Sequence, residues 1–256
     1  MSNYLTNSDF WTNYWGKPSR QNNIKEFSPC FLFDQILSRF LPKNSEFTAI
    51  ELGCYPGSFM AYFNKRFGYR VYGIDTIKGI DIIQKNLTAV DVPVQAIIQA
   101  DIMNMPFKRN FDIVASFGLI EHFTNPQIVI NRHCEIVAPG GYLIISIPHF
   151  RGIQYWLHRW FDAEVLTTHN LNAMYPTILS HWVEINGFSV LNCNYFQTFD
   201  FWTLDEPISK FRRVTYHLFM SFTSIVKELM DISRTNQIPN PWLSPHILLV
   251  ARKNPE

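Results

Sequence analysis

The stretch Glu51-Leu52-Gly53-Cys54-Tyr55-Pro56-Gly57 joins an apolar run, residues 47–52, to an amphipathic run, residues 58–67. The first run reads as a buried strand, and the second as a helix with Phe59, Tyr62 and Phe63 facing inward. A glycine-bearing turn between strand and helix brings backbone N–H groups toward a ligand at the helix N-terminus. Glu51 stands two residues before the first glycine, at the strand end, where dinucleotide sites carry glycine and a carboxylate would repel a pyrophosphate. The segment therefore suits a ligand with an ammonium group and no phosphate.

Working outward, the alternation of strand and helix continues. Residues 71–74 read as a short strand ending at Asp75, residues 80–87 as a weak helix, and residues 94–99 as a strand running toward Asp101. Residues 111–117 (FDIVASF) and 142–147 (YLIISI) are further strands. Between them lies a helix over 126–137, with Asn125 as N-cap and Pro126 in its first turn. A helix over 176–186 ends at Gly187 and leads into a strand over 188–195. The chain closes on a strand over 246–251. This rhythm specifies an α/β fold with a doubly wound, mostly parallel sheet. Upstream, Phe33, Ile36, Leu37 and Phe40 recur at helical spacing in a helix that starts near Pro29 and ends by Pro42. Residues 1–45 are read as a helical and aromatic cap. Residues 46–256 form the main domain, with insertions at about 149–175, where no period is evident, and 196–245.

The carboxylates at the strand ends narrow the ligand. Asp75, with Thr76 beside it, can accept hydrogen bonds from ribose hydroxyls. Asp101 can bond an exocyclic amine while Ile102 packs on a purine face. Glu51, Asp75 and Asp101 thus offer groups for an amino acid, a ribose and an adenine, in that order.

In combination these motifs resemble those of the class I, Rossmann-like, S-adenosylmethionine-dependent methyltransferases of small molecules. Glu51 to Gly57 resembles their first motif, Asp75 the acidic residue after their second strand, and Ala100-Asp101 their adenine-contacting pair. Residues 111–114 with Gly118 to His122 resemble the fourth-strand motif, and Ala138-Pro139-Gly140-Gly141 the turn before strand five. The likeness is close over about residues 45–150 and looser over 176–253. It implies a seven-stranded sheet with an antiparallel last strand and S-adenosylmethionine as cofactor. It places Glu51, Gly53, Tyr55, Gly57, Asp75, Thr76, Asp101, Ile102, Phe117 and Gly118 at the cofactor. The chain departs from the pattern at Tyr55, where the family usually has glycine. That departure keeps open a second reading, a cofactor-binding protein with a regulatory or scaffold role and no turnover. A nicotinamide-dependent oxidoreductase is disfavoured by Glu51 and by the missing G-x-G-x-x-G.

A general base is required only where the acceptor arrives protonated. His122, after the fourth strand, and His149, after the fifth, are the candidate catalytic residues. Trp11, Tyr14 and Trp15 are the candidate acceptor-binding residues, and their character suggests a hydrophobic or aromatic small molecule. Aromatic residues make up 16% of the chain, in keeping with either a Phe-rich core or such a pocket. The net charge of +1 gives no sign of a nucleic-acid footprint. Cys30, Cys54, Cys134 and Cys193 have neither metal-ligand nor disulfide spacing, so no metal site and a reducing, cytoplasmic setting are expected. There is no apolar run of the roughly 18 residues that a membrane span needs. Residues 208–231 read as a long amphipathic helix whose apolar stripe is expected to pack on the protein, with peripheral membrane contact as the alternative. A monomer or homodimer is expected.

Overall fold

In the computed structural model, which describes residues 3–17, 33–107, 110–203, 209–233 and 238–255, the strand β1 (Thr48–Leu52) is buried along its whole length. It lies inside a seven-stranded sheet with β2 (Arg70–Asp75), β3 (Val94–Gln99), β4 (Phe111–Phe117), β5 (Val137–Pro148), β6 (Phe188–Phe196) and β7 (His246–Lys253), in the order β3-β2-β1-β4-β5-β7-β6. β1 pairs in parallel with β2 and β4, and β7 runs antiparallel to both β5 and β6. The expected doubly wound sheet with its antiparallel last strand is present. The strand order reverses between β1 and β4, and ligands of open α/β sheets bind outside the carboxyl ends of the strands at such a point.

The period of two along the strands sends alternate side chains to opposite faces. Ile50 and Leu52 join Val114 on one face, packed with α5 (Pro126–Glu135) and α7 (Pro176–Glu184) through Val129, Ile130, Leu179 and Val183. Ala49, Ile113 and Ala115 face the other way, onto α2 (Asp34–Phe40), α3 (Ser58–Phe67) and α4 (Asp81–Thr88) through Leu37, Met60, Phe63 and Ile83. Much of the aromatic complement sits in these two layers. The expected start of α2 near Pro29 falls outside the described residues, as does Cys30.

α5 starts on Pro126, whose fixed φ suits the first turn, with Asn125 at the N-cap position as expected, although its side chain makes no capping bond. Two expectations need correction. Residues 149–175 are not irregular, for they contain α6 (Ile153–Phe161) and two short 3-10 turns. The apolar residues of α6 do recur at helical spacing, at Ile153, Trp156, Leu157, Trp160 and Phe161, but the stripe is split, since Phe161 is buried while Trp156 and Trp160 point outward. The second correction concerns α8 (Lys210–Ile232), whose main apolar stripe does not pack on the body. Phe211, Val214, Leu218, Phe222, Ile225, Leu229 and Ile232 are each at least 60% exposed. The helix is instead held by its opposite face, where Phe219 stacks on Phe161 and meets Phe201 edge-on. Among the described residues no helix is long and apolar enough to cross a membrane.

Candidate functional site

Beyond Leu52 the chain turns through Gly53 at φ +75° and Gly57 at φ +101°, backbone conformations that side chains with a Cβ rarely adopt. The two glycines serve different ends. Gly53 lines a cavity of about 490 Å³ at the carboxyl ends of the strands, a size typical of small-molecule sites. Gly57 faces α4, where a Cβ would lie 3.1 Å from the Ile83 side chain, so it permits helix packing and does not line the cavity. Glu51 is also behind the wall, buried, with its Oε2 lacking a hydrogen-bond partner. Burial, and then the nearby Asp75, holds its carboxyl well above the usual range. The other cofactor candidates, namely Tyr55, Asp75, Thr76, Asp101, Ile102, Phe117 and Gly118, all stand in the cavity wall.

Asp75 ends β2 and is fixed by the backbone, with Oδ2 accepting from the Tyr55 N–H and Oδ1 from the Ile77 N–H, both at 3.0 Å. Burial raises its pKa, and these N–H groups oppose the shift. Tyr55 does not fill the turn, because its ring leans on Trp15 at 5.1 Å between centroids. Asp101 caps the short 3-10 turn Ile102–Asn104 through a 2.8 Å bond from the Met103 N–H. Its other oxygen accepts the Tyr4 hydroxyl at 2.5 Å. Tyr4 reaches there because residues 3–5 run antiparallel to residues 122–124 through two backbone hydrogen bonds, and its ring meets Phe123 at 4.9 Å. No periodicity in the N-terminal sequence singles out Tyr4.

The outer wall comes from α1 (Ser8–Gly16). Trp11 and Trp15 line the cavity, whereas Tyr14 packs edge-on to both and stays out of the wall. Trp11 donates its ring N–H to Thr6 and sets its indole edge-on to His122 at 4.7 Å.

The two candidate catalytic histidines part company. His122 lines the cavity, and its Nδ1 lies 2.8 Å from the Thr168 carbonyl, so the N–H is assigned there and the lone pair to Nε2. His149 is buried outside the wall, bound through Nδ1 to the Ser244 carbonyl and packed on Tyr195. The residue that joins His122 is His169, with ring centroids 4.2 Å apart. Its position follows from the 2.6 Å bond between the Asn170 N–H and the Glu121 carbonyl, which lays residues 168–170 against the 3-10 turn Ile120–His122. Glu121 is fully buried, and neither of its carboxylate oxygens has a hydrogen-bond partner. Burial pushes it up to about 8, and burial lowers His169 to about 4 and His122 well below the usual value. One ligand atom from each of Glu121, His122 and His169 lies within 4.8 Å of the others, a grouping that the spacing along the sequence does not demand.

A family profile described as a methyltransferase domain matches residues 24–192. The chain belongs to that family. It is a class I S-adenosylmethionine-dependent methyltransferase, an enzyme that takes S-adenosylmethionine as its methyl donor. The methyltransferase is 22% identical over 197 residues to a ubiquinone biosynthesis O-methyltransferase of Coxiella burnetii, covering 72% of this chain and 80% of the relative. To the protein of the same name from Yersinia pestis it is 25% identical over 174 residues, covering 62% and 70%. Two solved structures share the fold at low identity. Magnesium protoporphyrin IX methyltransferase from Synechocystis PCC 6803, with S-adenosylhomocysteine bound, superimposes with a TM-score of 0.52 at 12% identity over 96% of this chain and 93% of that one. The cyclase SpnF superimposes with a TM-score of 0.59 at 13% identity over 97% of both chains.

The cavity of the methyltransferase suits this donor chemically. Carboxylates stand at the ends of β2 and β3, the unpartnered Glu51 Oε2 lies behind the turn, and no Lys or Arg is among the described lining residues. Such a set of acceptors fits a ligand that presents ammonium, hydroxyl and amine donors and carries no phosphate.

Proposed function

We propose that this methyltransferase transfers a methyl group to an oxygen or nitrogen of a small, hydrophobic or aromatic molecule by in-line displacement. The observation that carries this reading is the outer wall of the cavity, where Tyr4, Trp11, Trp15 and Phe123 face the strand ends with no Lys or Arg among the described lining residues. Aromatic walls of this kind bind planar apolar molecules. The names of the curated relatives in Coxiella and Yersinia favour oxygen over nitrogen.

In this reading S-adenosylmethionine supplies an electrophilic methyl group, and the chain positions it. Asp75 and Thr76 bind the ribose hydroxyls, Asp101 and Ile102 the adenine, and Phe117 and Gly118 the methionine portion. The buried Glu51 balances the ammonium charge. Trp11 and Trp15 hold the acceptor in line and exclude water, the two effects that supply most of the acceleration in such a transfer. Activation of the acceptor falls to His122, which lines the cavity.

The test is incubation of purified protein with S-adenosylmethionine and a metabolite extract, followed by a panel of phenols and aromatic amines, reading S-adenosylhomocysteine release and product mass. Release with an aromatic acceptor is expected. Tight S-adenosylhomocysteine binding without release from any mixture would replace this reading with that of a cofactor-binding protein without turnover.

A further inference from the structure

We propose that Glu121, His122 and His169 bind a divalent first-row transition-metal ion, of the Zn²⁺ or Co²⁺ type, at the acceptor end of the cavity.

Three independent features point to the site. The first is the Glu121 carboxylate, fully buried with both oxygens lacking partners. Its nearest basic atom, His122 Nε2, lies 3.7 Å away, too far for a hydrogen bond. A buried carboxyl without a partner either stays protonated or takes a cation, and two imidazoles beside it supply the further ligands that a cation needs. The second feature is the anchoring of the two rings. Nδ1 of His122 is held by the Thr168 carbonyl at 2.8 Å, and Nδ1 of His169 by the Val165 carbonyl at 2.7 Å. Metal-binding histidines are typically oriented in this way, with one N–H on a carbonyl and the opposite nitrogen free to coordinate. Third, the ligand atoms lie within 4.8 Å of one another, so small side-chain shifts bring them to the separation of about 3.3 Å implied by metal–ligand bonds of roughly 2.0–2.2 Å.

The donor set selects the ion. Two imidazoles and one carboxylate suit zinc, cobalt, iron or nickel, while Mg²⁺ and Ca²⁺ take oxygen ligands. Three protein ligands leave a coordination position open, as in catalytic metal sites. That position adjoins the cavity, since His122 is part of its wall and so is Gly118. A Cβ on Gly118 would lie only 3.6 Å from Glu121 Oε1. An acceptor hydroxyl bound at the open position would lose its proton to solvent more readily, leaving the oxygen lone pair for the methyl carbon as the C–S bond breaks. This use of the ion rests on the proposed methyl transfer; the binding of the ion does not.

The experiment titrates chelator-treated, full-length protein with Co²⁺, followed by its visible absorption, and with Zn²⁺ by calorimetry. About one equivalent of each should bind, undisturbed by millimolar Mg²⁺. Glu121→Gln and His169→Ala should each weaken binding by at least about 10-fold, with S-adenosylhomocysteine affinity kept within about threefold as the check on folding. Binding of less than about 0.1 equivalent to the wild-type protein overturns the proposal, whatever the variants do. Stoichiometric binding undiminished in both variants overturns it too, by placing the ion elsewhere. A protein that binds the ion at these residues but not S-adenosylhomocysteine would uphold this site and overturn the methyl-transfer reading instead.

Discussion

The Tyr4 hydroxyl donates to Asp101 Oδ2, so a side chain from the start of the chain occupies the carboxylate assigned to the adenine. The Asp101 Oδ1 is already engaged by the Met103 N–H. An amine arriving from the cofactor therefore competes with Tyr4 for Oδ2. Tyr4→Phe should tighten S-adenosylhomocysteine binding by up to about fivefold, the worth of one ordinary hydrogen bond. Calorimetry reads the change, and weaker binding in the variant would mean that the hydroxyl contacts the ligand itself.

Asp75 has two duties, since it orders the turn through the Tyr55 and Ile77 N–H groups and faces the cavity. Asp75→Ala should weaken S-adenosylhomocysteine binding by about 1–3 kcal/mol, the cost of leaving polar partners unmet. Asp75→Asn, which keeps one acceptor oxygen, should fall between the variant and the wild type. Equal affinity in all three proteins would remove Asp75 from the site.

Stability should fall in mild acid. His133 is fully buried between the Val129 carbonyl and the Ser116 hydroxyl, and burial lowers its pKa to about 4. In the unfolded chain the same group titrates near 6.5. The unfolded state therefore binds more protons between those values. The contribution of His133 is complete above about pH 6.5 and is lost as pH falls toward 4, about 3 kcal/mol over the window. His246, also pushed to about 4 by burial, acts in the same direction. Urea titrations at pH 7 and pH 5 measure the loss, which His133→Asn should reduce. A loss between pH 7 and pH 5 that is equal in the wild type and in His133→Asn would contradict the assignment.

The two faces of α8 make opposite predictions. Phe222 is 63% exposed, so Phe222→Ser should move the melting temperature very little, within the roughly 0.5 kcal/mol typical of surface changes. Phe219, stacked on Phe161 and against Phe201, should behave otherwise. Phe219→Ser should lower the melting temperature by several degrees, through lost packing of about 1–3 kcal/mol. Reversal of that order would mean that the outward stripe is covered in solution.

Local sequence determined a great deal of this protein. The strands around residues 47–52, 94–99 and 111–117, and the helix over 58–67, could be read because apolar spacing repeats with the period of each element. The carboxylates Asp75 and Asp101 were legible because strand ends in such a fold point toward one crevice. Only the tertiary structure decided the rest. The sequence does not show that Glu51 lies buried behind the wall, or that Gly57 packs on α4. His169 stands beside His122 where His149 was the candidate, since a loop course is set by distant backbone bonds such as Asn170 to Glu121. Tyr4 meets Asp101 for the same reason. The stripe of α8 was readable as a stripe, but its direction was not. A period tells which residues share a face, and only the packed neighbours determine whether that face turns in or out.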